Sequence, residues 1–255
     1  SALAEEFCRL AGEDKRQLIA FLLGLSAGKM KREELMAVLD ELKHEYAPID
    51  AIGVDGQMHG IVYVDDKGNH LSPLYTWQDE RGNLPYKDTT YAAYLKSYAG
   101  YGGVTDFYNR INNLRPQEAV SYCTIQDYLG MVLCGLSRPV IHTSNAASFG
   151  GFDLKENQFC SEIKDELKEV MLTVGDGCEK LIEGPNAEIT GEYRIIGAYK
   201  GIPVSVAIGD NQASVFSTLA NEKDILINVG TGSQITIVSD KVIEGEGIEV
   251  RPYVE

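Results

Sequence analysis

Four short stretches carry side chains suited to chemistry. Asp210 ends the apolar run "IPVSVAIG" and precedes "NQASVFSTLA". A carboxylate at the carboxyl end of a strand in an α/β sheet stands where ligands bind, and it is able to take a proton from a substrate hydroxyl. The same place also suits a helix N-cap, and both roles can hold at once. In "DGQMHG", two glycines bracket Gln57, Met58 and His59. That is either an exposed turn or a small-molecule site where glycine lets the backbone come close to a ligand. In "TWQDER", the single tryptophan, Trp77, adjoins Gln78, Asp79 and Arg81. Such a cluster is a surface ion pair at a strand end or a sugar platform with an apolar wall and directed hydrogen bonds. In "NVGTGSQ", Gly230, Thr231 and Gly232 are able to aim backbone N–H groups at a phosphate, and they equally suit a tight hairpin turn. The stretch is not a Walker A loop, because the Gly-Lys-Ser/Thr ending is missing. His59 and His142, taken singly, read as structural histidines, and Asp127 as a helix cap.

Positioning these groups requires an ordered scaffold. The first 28 residues read as two helical segments, and "KREELMAVLDELKHEY" as an amphipathic helix with Leu35, Val38, Leu39, Leu42 and Tyr46 on one face, stopped by Pro48. Strands are expected at "IDAIGV", at "GIVYV" and, after the turn "DDKGN", near "LSPLYTW". From Leu84 to about Arg115 the chain is Tyr-rich and reads as loop, with one helix near "DTTYAAYLKSY". "TIQDYLGMVLCGL" reads as a helix with Thr124 and Asp127 as a capping box. "HTSNAASFGGFD" reads as a small-residue loop, and "SEIKDELKEVML" as an amphipathic helix. "IPVSVAI" is expected as a buried strand, "NQASVFSTLA" as a helix, and "DILINVG" with "SQITIVSD" as a hairpin. Helices alternating with strands predict α/β layers.

Composition narrows the function classes. The 255 residues carry a formal net charge of −15, which argues against unassisted binding to nucleic acid or anionic membrane. The five cysteines (Cys8, Cys123, Cys134, Cys160, Cys178) form no CxxC pair, and the four histidines have no metal-ligand spacing. No disulfide framework or protein-held metal is expected, and a reducing cytoplasmic setting is.

Taken in order, "GQMHG", "TWQDER", "SNAASFGGFD", "IGDNQAS" and "NVGTGSQ" resemble the FGGY carbohydrate kinases, nearest the sedoheptulokinase and xylulokinase branch, over roughly residues 31 to 255. The resemblance implies an actin-like (ribonuclease H-like) α/β domain flanking a cleft, with a second domain beyond it. It implies transfer of the γ-phosphoryl of ATP, with Mg2+, to a hydroxyl of a ketose or polyol. On that likeness Asp210 is the catalytic base, with Asn211 beside it. Gln57, Met58, His59, Trp77 and Asp79 border the sugar, and Gly230, Thr231 and Gly232 form a phosphate-binding turn. The implied domains are 1–30, a helical segment of unmatched role; 31–220, the sugar-binding domain; and 221–255, the opening of the nucleotide-side domain.

This sequence departs from the family pattern in three ways. The Asp-x-Gly-Thr-type phosphate loop that opens the family does not occur before Met30, most of the second domain lies outside the sequence, and Asp55 stands where the family more often has a small hydroxyl residue. A truncated sugar kinase with weakened nucleotide affinity is the expectation, the alternative being a non-catalytic sugar-binding or regulatory module. A strand absent from the family's sheet leaves an edge for the N-terminal helices or a second copy to cover, so self-association is also expected.

Overall fold

A computed structural model of the chain describes residues 48–159, 185–219, 223–229, 233–241 and 248–253, together with positions 36, 37, 40, 41, 44, 221, 243 and 245. The helices expected within 1–30 and over "SEIKDELKEVML", and the turn Gly230, Thr231 and Gly232, lie outside the described residues. Of the helix expected at "KREELMAVLDELKHEY", the described positions are helical. Met36 packs on the core there, and Asp40 accepts from Tyr199 Oη at 3.0 Å and pairs with Lys200.

The central feature is a parallel pairing between segments far apart in the chain. Ile52 bridges Val204, and the strand Asp55–Gly56 runs parallel to Ile208–Gly209, with Gly56 opposite Gly209. Ile202–Ser205 carries the same line back to Ile195–Tyr199 in an antiparallel pair. Val62–Val64 pairs antiparallel with Ser121–Cys123, and Val140–His142 parallel with Glu188–Thr190. Of the three expected early strands, "GIVYV" forms as predicted, while "IDAIGV" contributes only the Ile52 bridge and the strand itself follows at Asp55–Gly56. The "LSPLYTW" segment does not form a strand: it contributes one isolated bridge, Tyr75 to Ile61, and His70 just before it contributes another, to Val64. Pro73 has no N–H to give between them, so the ladder cannot continue.

The helix Ile125–Cys134 is the strongest local element. Thr124 and Asp127 form the reciprocal capping box, and Gly135 closes the helix in the left-handed conformation. Its Leu129 and Leu133 pack with Val54, Val204 and Ala207 under the parallel strands. Met131 faces a second cluster with Ile61, Tyr63, Ile141 and Phe149. The helix Asp210–Thr218 and the short helix Tyr91–Tyr94, capped by Thr90, fall where expected.

Two expectations are corrected. The segment read as loop contains a ten-residue helix, Gly102–Ile111. It opens on two glycines, and it buries Asp106, Asn109 and Arg110 as well as Val104 and Phe107. The apolar period is interrupted by polar residues that are nonetheless inside: Tyr63 Oη donates to Asp106 at 2.8 Å, and Arg110 pairs with Asp106 at 2.7 Å. The "HTSNAAS" stretch is also not plain loop. Thr143–Ala147 is a short helix, and His142 caps it by accepting the Ser144 N–H at 3.1 Å.

The expected hairpin forms from Ile225–Val229 and Ser233–Ile237, with Ile225 opposite Ile237 and Val229 opposite Ser233. Ile225, Ile227, Val229, Ile235 and Ile237 share one of its faces and are 55–79% exposed.

Candidate active site

The site forms where the two parallel strands end. Asp55 opens the strand Asp55–Gly56 and Asp210 directly follows Ile208–Gly209, so two carboxylates lie near one another on adjacent strands. Lost hydration raises the Asp55 carboxyl, and the charge of Asp210 raises it further. Lost hydration likewise raises Asp210, while the Asn211 N–H and the Arg251 charge hold it back. Asp210 is not the helix cap. Gly209 occupies that place with no side-chain bond, and Asp210 is the first helical residue, accepting the Asn211 N–H at 2.8 Å. Most of its carboxylate is therefore open for other work.

The "GQMHG" turn folds against the same strand ends. Met58 is buried and lies on Gly209, where a Cβ would meet its Sδ at 2.7 Å and Gln212 Oε1 at 2.6 Å. Only glycine allows that approach. His59 takes a φ of 73°, unusual for a residue with a Cβ. The conformation is held from outside the turn: the His59 N–H donates to Ser148 Oγ at 3.0 Å, and its Nδ1 to the Ser148 carbonyl at 2.9 Å. With Nδ1 donating, Nε2 of the neutral ring is left as an acceptor. The ring stacks on Tyr101, with centroids 4.3 Å apart. Burial lowers the His59 pKa, which favours the neutral ring. At Gly60 the turn closes on the segment leading to Trp77, where a Cβ would come within 2.5 Å of the Tyr75 carbonyl.

The remaining expected residues are less uniform. Trp77 is 54% exposed, and its carbonyl lies against Gly100, next to the Tyr101 that stacks on His59. Asp79 is engaged: Arg81 Nε donates to it at 2.7 Å and the Arg81 N–H at 3.0 Å. Arg81 in turn lies over the Tyr75 ring at 4.4 Å. Asn211 donates to Gln234 Oε1 at 3.3 Å and so ties the helix to the hairpin. Gln57 is half-buried beside Met58. His142 is structural, as expected: fully buried, it donates from Nε2 to the Gly191 carbonyl at 3.2 Å.

Sequence reasoning did not select Asp55, Tyr101, Ser148, Glu249 or Arg251. Tyr101 donates to Glu249 Oε1 at 3.3 Å, Arg251 pairs with the same oxygen, and Arg251 Nη1 reaches Met58 Sδ at 3.4 Å across a sequence separation of 193 residues. Nothing local in "IEVRPY" signals that contact. Asp55 did carry a signal, being the departure from the family pattern at the mouth of the turn.

Asp127 is more than a cap. It is fully enclosed, and burial pushes its carboxyl up to about 7 against the hydrogen bonds from Thr124 and Asn145. A carboxyl that holds its proton more tightly folded than unfolded stabilises fully below its unfolded value, near 4, and loses that contribution as pH rises toward 7. Thermal melts of the wild-type chain and Asp127→Asn between pH 4.5 and 7.5 are expected to show this. The wild type should lose about 1 kcal/mol of stability per pH unit relative to the variant at the steepest point; parallel curves would refute the assignment.

These features give an α/β fold of the actin-like kind found in the FGGY carbohydrate kinases, with two carboxylates beside the Met58–His59 turn. No family model matches the chain. Its structure matches a xylulose kinase from Rhodospirillum rubrum (TM-score 0.60, 20% identity, 79% of this chain and 44% of that one). It matches a gluconate kinase from Lactobacillus acidophilus equally well (TM-score 0.60, 16% identity, 80% and 43%). In sequence it is related to mouse sedoheptulokinase, 31% identical over 228 residues, and to human sedoheptulokinase, 29% identical over 252 residues. The matches cover 80% and 82% of this chain but only 46% and 48% of those proteins, so the chain spans about half the length of the curated relatives it matches. The chain is thus related in sequence to about half of a sedoheptulokinase and shares the fold of the FGGY-like carbohydrate kinases.

Proposed function

We propose that the chain is the sugar-binding part of a carbohydrate kinase that phosphorylates a hydroxyl of a ketose or polyol, sedoheptulose and xylulose being the leading candidates. The observation that carries the reading is the juxtaposition of Asp210, free of capping duty, with the Met58–His59 turn at paired strand ends, in a chain related to sedoheptulokinases. Asp210 accepts the proton of the acceptor hydroxyl, and its raised pKa makes it a better base than an ordinary carboxylate. His59 Nε2 accepts a hydrogen bond from a substrate hydroxyl, Met58 gives an adaptable apolar wall, and Gln57, Trp77, Asp79 and Asn211 border the substrate.

MgATP supplies the phosphoryl group when bound. Among the described residues no cluster of three or more His, Cys, Asp or Glu is suited to a metal. Asp55 and Asp210 are nonetheless hard oxygen donors, and one or two carboxylates are what a phosphate-borne Mg2+ needs from a protein. Gly230, Thr231 and Gly232 remain the proposed phosphate turn, with 221–255 as the opening of the nucleotide side. Among the described residues no helix is long and apolar enough to cross a membrane.

Calorimetry tests the reading. Sedoheptulose or D-xylulose should bind this chain with a dissociation constant in the micromolar to millimolar range usual for such substrates. Binding of neither sugar would overturn it. Sugar binding with no MgATP-dependent turnover in the longest native reading frame would favour the non-catalytic sugar-binding module.

A further inference from the structure

Behind the strand ends lies Asn145, fully buried in the short helix Thr143–Ala147. Its Nδ2 donates to Asp127 Oδ1 at 2.9 Å and to the Ala207 carbonyl at 3.3 Å. Its Oδ1 accepts from Gln126 Nε2 at 3.1 Å, and the same amide nitrogen donates to the Gly56 carbonyl at 3.1 Å. Its backbone carbonyl accepts Ser148 Oγ–H at 2.7 Å, and Ser148 takes both His59 donors. One residue earlier, Ser144 Oγ accepts the Gly209 N–H at 3.2 Å.

A buried amide is expensive unless every group finds a partner, and leucine would fill a similar volume without that demand. Here both Nδ2 donors and the Oδ1 are matched, and the partners are not random. Asp127 and Gln126 belong to the best-anchored helix, Ala207 to the strand that ends in Asp210, Gly56 to the strand that carries Asp55, and Ser148 holds His59.

We infer that Asn145 is a positioning residue, which locks the His59 turn and the Asp210 strand end to one helix and so sets the distance between the substrate-contacting turn and the proton acceptor. The catalytic meaning of that distance rests on the function proposed above. The lock itself is a property of the folded chain and is measurable without substrate.

The test is nitrogen-15 NMR of the His59 imidazole in the wild-type chain and in Asn145→Ala, with calorimetry of sedoheptulose and D-xylulose alongside. The wild type should show a neutral ring fixed as the Nδ1–H tautomer. Asn145→Ala keeps the backbone carbonyl that holds Ser148 but removes the side-chain anchors of the short helix to Asp127, Gln126 and Ala207; with the helix loosened, the two ring nitrogens should move toward the averaged shifts of a freely exchanging imidazole, and affinity for whichever sugar the wild type binds should fall at least about tenfold. Ser72→Ala removes a buried hydroxyl outside the site, which accepts the Tyr63 N–H and donates to the Pro73 carbonyl. It should leave both readouts unchanged, which separates positioning from general loss of stability. If Asn145→Ala does not fold, Ser148→Ala removes the hydroxyl that joins the His59 N–H to the Asn145 carbonyl while keeping the Ser148 carbonyl, and the freed turn should also move the His59 shifts. Unchanged His59 shifts in the folded variant overturn the inference, whether or not the chain binds a sugar. Failure of the wild type to bind either sugar overturns the kinase reading while the His59 result still decides this one.

Discussion

Asp210→Asn is expected to lower MgATP-dependent ADP release about a thousandfold while leaving sugar affinity within about threefold of wild type. The asparagine keeps the shape of the helix start and removes the ability to accept a proton. The expectation depends on Asp210 having no structural duty that Asn would disturb, and that is what its surroundings indicate: Gly209 is the cap, and among the described residues the carboxylate is hydrogen-bonded by backbone N–H groups alone, its own and that of Asn211. Asp55, also a carboxylate and close enough to be raised by Asp210, is the natural rival for the role. If Asp210→Asn retains turnover and Asp55→Asn does not, the assignments exchange. The measurement is steady-state kinetics in the longest native reading frame containing this chain, with calorimetry for the sugar.

Phe149→Ala should cost the most stability of the single changes considered, about 3–5 kcal/mol, which for a chain of this size is a fall in melting temperature on the order of 10 °C. Phe149 is 1% exposed, meets the Tyr122 ring edge-on at 5.3 Å between centroids, and packs in one cluster with Ile61, Tyr63, Met131 and Ile141. Its backbone is fixed as well, since its carbonyl accepts the Gly103 N–H at 2.9 Å at the start of the helix that sequence reading missed. Collapse into the vacated volume is therefore restricted from both sides. Ile227→Ala, at a side chain 63% exposed on the hairpin, should shift the melt by little. A shift of under about 2 °C for Phe149→Ala would mean that this cluster does not hold the fold together.

Much of the scaffold was legible wherever local rules decide structure. The helix Ile125–Cys134 announced itself through Thr124, Asp127 and Gly135, and the hairpin through two β-branched runs around a Gly-rich turn. What was not legible depends on partners distant in sequence. The helix Gly102–Ile111 hides behind two glycines and four buried polar residues, among which Asp106 makes sense only once Tyr63 and Arg115 are beside it. The site followed the same division. Met58, His59 and Asp210 stand out by type, strand position and ordered motif. Their supports, Ser148, Asn145 and Tyr101, are ordinary residues until the fold brings them within hydrogen-bonding or stacking distance. Asp127 was read as a cap and is one; its complete enclosure was not in the sequence.

The pairing of Asp55–Gly56 with Ile208–Gly209 also has a consequence for how the protein is made. These strands lie roughly 150 residues apart, so closing them requires a large loop to be ordered first. During synthesis the nascent chain can bury the Ile61, Tyr63 and Phe149 cluster and fold its first capped helix while the second strand is still unmade. Domain-like compactness then precedes assembly of the proposed site: the Met58–His59 turn waits, with His59 already tethered to Ser148, for the Ile208–Gly209 strand to slot in and deliver Asp210.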